Sequence, residues 1–289
     1  MIIFILSALV GAVLAGLYAL TDATWGIGVT FVLGSFGGFI ALNKILQKKM
    51  MGPLLEAQEF MMAGGDKLQK KIKQMQAKPT GNPLAMQKKL EKEQEDLLRK
   101  TLKKMESAEE SYKWNYLLKK QTETMRFQLN YQLKDYKEAD KYLDSVMLMD
   151  PMVIGMKMAR QYETDKLKED KEQTVSEKEV NDWSVSKTLK KGIWKVRSKQ
   201  GKAFLNNLYA WMLVQQGLGK EAQKKLVSLK DTATDEVLLA NLEALQNSKA
   251  SKVSLTPYGD QWWALGLQNP PKQKQQQVRQ NRRNAGRPF

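Results

Sequence analysis

Two uncharged apolar runs open the chain, residues 2–20 and about 25–42, separated by the short polar break Thr21-Asp22-Ala23-Thr24. Each comes close to the ~20 residues a helix needs to cross a ~30 Å hydrocarbon layer, so the pattern predicts a hairpin of two transmembrane helices over residues 1–46. Small residues recur at helical spacing, Ser7, Gly11 and Ala15 in the first run, Gly34 with Gly38 and Gly37 with Ala41 in the second. Such stripes let backbones approach closely, and here they are read as the contact between the two helices. A cleaved signal peptide competes for the first run, but it would open with basic residues, whereas this chain begins Met-Ile-Ile-Phe-Ile-Leu. The break carries Asp22 and no Lys or Arg, while Lys44, Lys48 and Lys49 follow the second run. By the positive-inside tendency this predicts a two-span membrane protein of bacterial inner-membrane type with both termini cytoplasmic, and Tyr18 and Trp25 at the far interface.

Residues 47–110 change character: they are charged, rich in Met and poor in aromatics, and the turn-forming cluster Lys78-Pro79-Thr80-Gly81-Asn82-Pro83 divides them. Two helices separated by a turn are predicted. In the second, Leu84, Leu90, Leu97, Leu98, Leu102 and Met105 recur at helical spacing among Lys and Glu, an amphipathic pattern. The first has two readings, an interfacial helix on anionic lipid through Lys67, Lys70, Lys71 and Lys73, or one arm of a hairpin with the second. Gly64-Gly65 is expected to interrupt it under either reading.

Aromatics mark the start of a packed domain over 111–268, with Tyr112, Trp114, Tyr116, Phe127, Tyr131, Tyr136 and Tyr142 in its first stretch. Ala139, Leu143, Val146 and the pair Asp150-Pro151 suggest a helix with a small residue at a crossing, apolar filling one turn on, and a stop at the Pro. Phe204 to Leu229 repeats the scheme, with Gly217 at an inter-helix turn followed by Ala222, Leu226 and Leu229, and Val237, Leu238, Leu242 and Leu245 give a further helix one face. This arrangement resembles the tetratricopeptide-repeat family, helix–turn–helix units of 34 residues, over residues 112–247. The departures are that Glu123, Arg126, Phe127 and Asn130 stand where the family places its Trp, Leu-Gly and Tyr, and that the later unit lacks the closing Pro. Between the units, residues 152–163 read as a helix, 165–179 as a charged insertion, and 183–196 as a Lys-rich stretch holding Trp183 and Trp194. A short element with Trp262 and Trp263 follows Pro257.

The resemblance implies stacked units with a concave surface, lined by their first helices, that takes extended peptides or partner helices. Carried over position by position, the partner-binding residues would be Gln121, Thr124, Gln128, Tyr131 and Gln132 in the first unit, and Phe204, Asn207, Trp211, Val214 and Gln215 in the later one. The alternative for each is an ordinary packing or solvent-facing position.

Composition narrows the chemistry. With no Cys and no His, thiolate and imidazole metal sites, Cys–His nucleophiles and Ser–His–Asp triads are excluded. Gly64-Gly65 and Gly217-Leu-Gly219 lack the flanks of a phosphate-binding loop. No cofactor and no enzymatic activity are expected. The net charge of +16 favours anionic surroundings, and residues 269–289 form a basic, apolar-poor tail expected to be disordered, with Lys272, Lys274, Arg279, Arg282, Arg283 and Arg287 as its anionic-surface residues. The fold class read from the chain is all-α: a transmembrane helical hairpin, an amphipathic helical linker, a helical-repeat domain and a tail. The functional expectation is a membrane-anchored scaffold that binds proteins of a complex at the cytoplasmic face. The alternative is a tethered RNA- or ribosome-associated factor working through the tail, and a small-molecule substrate is disfavoured.

Overall fold

The computed structural model describes residues 2–19, 27–77, 83–112, 116–165, 177–230 and 235–270, and every regular element among them is helical. The first two helices, α1 (Ile2–Ala19) and α2 (Ile27–Ala77), lie against each other where small residues permit it. A Cβ on Gly11 would overlap Ser35 Oγ and crowd the Phe31 carbonyl oxygen at 2.7 Å, so only glycine fits there, and one on Gly34 would fall 2.9 Å from Leu14 Cδ1, which would have to shift. Ser7, Gly11 and Ala15 are buried along the seam. Outside it, Ile5, Leu9, Val13, Val32, Leu33 and Phe36 are exposed, an apolar surface.

The membrane reading does not survive. No helix among the described residues is long and apolar enough to cross a membrane, which overturns both the two-span transmembrane anchor and the multi-pass membrane localisation. Nor does the helix stop where the apolar run ends. α2 continues to Ala77, through the expected boundary at 46/47, through Pro53 and through Gly64-Gly65. Gly64 is instead a contact point, since a Cβ there would collide with the Leu97 side chain of α3 (Pro83–Met105). The far half of α2 is therefore one arm of a hairpin with α3, tied by Lys71 to Glu93 at 2.7 Å.

A 3-10 turn, Glu106–Ser111, leads into α4 (Tyr116–Gln132), which serves two cores. Leu118 and Leu129 join Leu54, Ala57, Leu98 and Met105 from the α2 and α3 hairpin. Phe127 and Tyr131 turn into the larger core that runs to Leu265. Arg126, paired with Glu109 at 2.7 Å, bridges the junction.

The helix predicted after Tyr136 is cut short. α5 (Tyr136–Asp140) has little more than one turn, held by its Asp135 cap and by Arg160, which forks onto Asp140 at 2.8 and 2.7 Å while its guanidinium lies 4.5 Å from the Tyr136 ring centroid. Asp150-Pro151 does not close this helix; it opens the next one, α6 (Pro151–Thr164). Asp150 accepts from the amides of Met152 and Val153, and Pro at the first helical position lacks only an N–H that would have had no partner in the helix. After α7 (Glu177–Asp182), α8 (Ser184–Ile193) packs on α6. Then come α9 (Lys199–Gln215), α10 (Gly219–Val227) and α11 (Glu236–Gln246). Gly217, at φ +77°, makes the turn between α9 and α10, and Ala139 and Ala222 are wholly buried at their crossings. The helices α4, α6, α9 and α11 pack in succession, α4 on α6, α6 on α9 and α9 on α11. Two 3-10 turns and α12 (Asp260–Trp263) return along this row.

Candidate functional site

The side that α4, α6, α9 and α11 share is the one expected to receive a partner, and the chain's own residues 253–265 occupy it. Tyr131 donates its hydroxyl proton to Leu265 O at 2.6 Å. A Cβ on Gly155 would sit 3.3 Å from Leu265 Cδ2. Trp211 meets Trp262 edge-on with ring centroids 4.9 Å apart, and Asn241 both donates to Ser254 O and accepts from Ser254 N. Val253, Leu255, Trp262 and Leu265 are buried in this position.

That corrects the partner-binding assignment. Tyr131 is 3% exposed, Trp211 5% and Asn207 0%, so these three are core residues and present nothing to a ligand, while Phe204, buried with them, keeps only a ring edge toward the cleft described below. Thr124 is engaged within the fold, donating to Lys120 O and accepting from Met147 N, which pins the segment after α5 to α4. Gln121, Gln128 and Val214 are half-buried; Gln132 and Gln215 are exposed at the last positions of α4 and α9. The structure does not gather these residues into one surface. The tail residues Lys272, Lys274, Arg279, Arg282, Arg283 and Arg287 lie outside the described residues.

An open cleft of about 920 Å³ does exist, where α6, α9 and α11 begin. Each start is fastened by a side chain: Asp150 for α6, Ser198 accepting from Gly201 N at 3.0 Å for α9, and Asp235 accepting from Leu238 N at 2.9 Å for α11. The apolar part of the lining comes from Met152, Ile193, Phe204, Leu229 and Tyr258, and the rim carries exposed Lys199, Gln200, Lys202 and Glu236. Phe204 and Tyr258 meet edge-on at 5.1 Å.

Behind the cleft a chain of hydrogen bonds holds the walls. Tyr258 donates its hydroxyl proton to Asp235 Oδ1 at 2.8 Å and accepts from Asn207 Nδ2 at 2.7 Å; Asn207 Oδ1 in turn accepts from Asn241. Burial, reinforced by the adjoining Asp235 carboxylate, pushes the Tyr258 phenol far above its ordinary value, so it remains a donor. Asn206, 4% exposed, also lines the cleft; its amide nitrogen donates to Lys202 O, and its Oδ1 has no partner among the described residues.

No protein-family model matches this chain, and no curated protein or solved structure gives a match. The site therefore has to be read from its own chemistry. Among the described residues no group of three or more carboxylate, thiol or imidazole side chains could hold a metal ion. The cleft offers an apolar floor, a rim of both charges and the amino ends of three helices, an arrangement that favours holding a segment of chain with alternating apolar and polar groups. Sequence reading missed it because its lining is drawn from four distant stretches, and Asp150, Ser198 and Asp235 signal helix starts without saying that the starts converge.

Proposed function

We propose that this protein is an adaptor built on tetratricopeptide-like helical hairpins, and that it holds an extended segment of a protein partner in the cleft between the starts of α6, α9 and α11. The pairing of α4 with α5, α6 with α8 and α9 with α10 supports the repeat reading, as do the buried Ala139 and Ala222 and the left-handed Gly217. The observation that carries the binding reading is the cleft itself, about 920 Å³ with Phe204 and Tyr258 in its wall and the uncompensated Asn206 beside them. A peptide backbone supplies N–H donors at regular intervals, and its side chains would fill the apolar floor. Catalysis is not part of the proposal, since the chain has neither Cys nor His to serve as nucleophile or neutral-pH base.

The test is selection of peptides from a displayed random library against the 289-residue chain, followed by titration of the enriched sequences. Gln200→Trp combined with Lys202→Glu alters two exposed rim positions without touching the core. Selected peptides should lose about tenfold or more in affinity for this variant. A library that yields no binder, or binders indifferent to the change, would overturn the reading.

A further inference from the structure

From Trp183 to Lys220 the chain contains no Asp or Glu, yet it carries Lys187, Lys190, Lys191, Lys195, Arg197 and Lys199 among its basic residues. α8 sorts this segment by face. Val185, Ser186, Thr188, Leu189 and Gly192 are buried, while Lys187, Lys190, Lys191 and Trp194, spaced i, i+3, i+4 and i+7, stand exposed along the opposite stripe. The stripe runs roughly 10 Å at the rise of an α-helix. Trp194, just beyond the helix, is 71% exposed, and Lys195 Nζ lies 5.3 Å from its ring centroid.

Among the described residues nothing in the packing accounts for that tryptophan, since the core is complete without it and a large flat ring in water carries a cost. Among the described residues the lysines beside it are only lightly compensated. Lys187 reaches Asp182 at 3.4 Å, a pair exposed on both sides and therefore weak, and Lys190 donates to the neutral Asn181. Their charge is felt by neighbours: Lys225 is held below the ordinary lysine value by burial and then by Lys190, and Lys157 by burial, with Lys191 adding in the same direction.

We propose that the outward stripe of α8, with Trp194 and the basic link into α9, binds single-stranded nucleic acid. Phosphates would lie along Lys187, Lys190 and Lys191, and a base would stack on the Trp194 ring, whose face every base can use whatever its sequence. A lipid surface fits less well, because interfacial helices present a broad apolar face and this stripe has one aromatic among cations. An acidic peptide would satisfy the lysines and leave the ring without a role. This site adjoins the rim of the peptide cleft proposed above, which also carries Lys199, but the stripe of Lys187, Lys190, Lys191 and Trp194 lies outside that cleft and its reading does not depend on it.

The test compares a fluorescein-labelled oligothymidylate of about 20 nucleotides with an abasic strand of the same length and charge, at about 150 mM salt, on the full 289-residue chain. Both strands also meet any charge in the C-terminal tail, so the difference between them isolates stacking. Trp194→Ala should weaken oligothymidylate by about fivefold or more and leave the abasic strand unchanged. Lys190→Gln with Lys191→Gln should weaken both strands and make the dependence of log affinity on log salt shallower by about 1.4. All three positions are exposed, and thermal melts should show the variants folded. The proposal fails if Trp194→Ala affects both strands equally or neither. It also fails if phosphatidylglycerol vesicles or polyglutamate show the Trp194 dependence that oligothymidylate lacks.

Discussion

Tyr131 carries a general point about single residues. Its amphipathic ring on one side of a helix is equally compatible with a binding surface and with a core, and the partner that decides between them, Leu265, lies 134 residues further along the chain. Removing the hydroxyl in Tyr131→Phe leaves the Leu265 carbonyl buried without its donor, and a loss of ~1 to 3 kcal/mol is expected in denaturant unfolding. Tyr131→Ala should cost ~3 to 5 kcal/mol through the cavity it leaves. The same phenol predicts a response to alkali. Burial raises the Tyr131 and Tyr258 hydroxyls in the folded state well above the ordinary phenol value of about 10. Between the unfolded and folded values the native chain holds more protons than the unfolded one, so stability is complete below about pH 10 and falls as pH rises beyond it. Lys157 and Lys225, whose ammonium groups burial lowers, work in the opposite direction over the range below the ordinary lysine value. Melting temperatures followed from pH 9 upward should therefore drop beyond about pH 10, less steeply for Tyr131→Phe than for the parent. Identical slopes would show that this phenol is not the buried donor the structure describes.

Among the elements, those with punctuation were legible and those shaped by distant contacts were not. α11 follows its Asp235 cap at Glu236, and Gly217 sits at its turn, because cap and turn chemistry act within a few residues. The continuous run of α2 through Pro53 and Gly64-Gly65 could not be read this way. Local rules predict a break there, and the close seat of Leu97 against Gly64 outweighs them. Likewise Asp150-Pro151 satisfies both a helix stop and a helix start, and only the packing of α6 decides. Two glycines a residue apart should respond with opposite signs. Gly217→Ala forces a side chain into the left-handed region and should cost ~1 to 2 kcal/mol. Gly219 opens α10 with nothing within 4 Å of the place an alanine methyl would take, so Gly219→Ala should be neutral or stabilise by up to ~1 kcal/mol. Ala222→Leu and Ala139→Leu overfill fully buried crossings and should each lower stability by ~1 to 3 kcal/mol. Chemical denaturation of the four variants side by side checks the ordering.

At the scale of the molecule, α4 joins two cores of unequal standing: a large one completed by residues 253–265, and a smaller one beneath the α2 and α3 hairpin. The all-helical class could be read from periodicity. That the return segment would close the shared side of the first helices could not, since Trp262 and Leu265 sit in a short, irregular stretch with no pattern of its own. Beyond both cores the α1 and α2 seam leaves Ile5, Leu9, Val13, Leu33 and Phe36 outside. Contiguous apolar surface of this kind is rare on isolated soluble chains and drives association or dye binding in water. None of the described residues within 1–38 belongs to either core, so deleting this stretch should remove the sticky surface and spare the rest. The shortened chain is expected to bind far less of a hydrophobic dye and to scatter as a smaller species, with the melting temperature of the remaining helices altered by only a few degrees. If dye binding and particle size persist, the exposed surface lies elsewhere; if the shortened chain no longer melts cooperatively, the N-terminal seam supports the cores in a way their separate residue sets do not reveal.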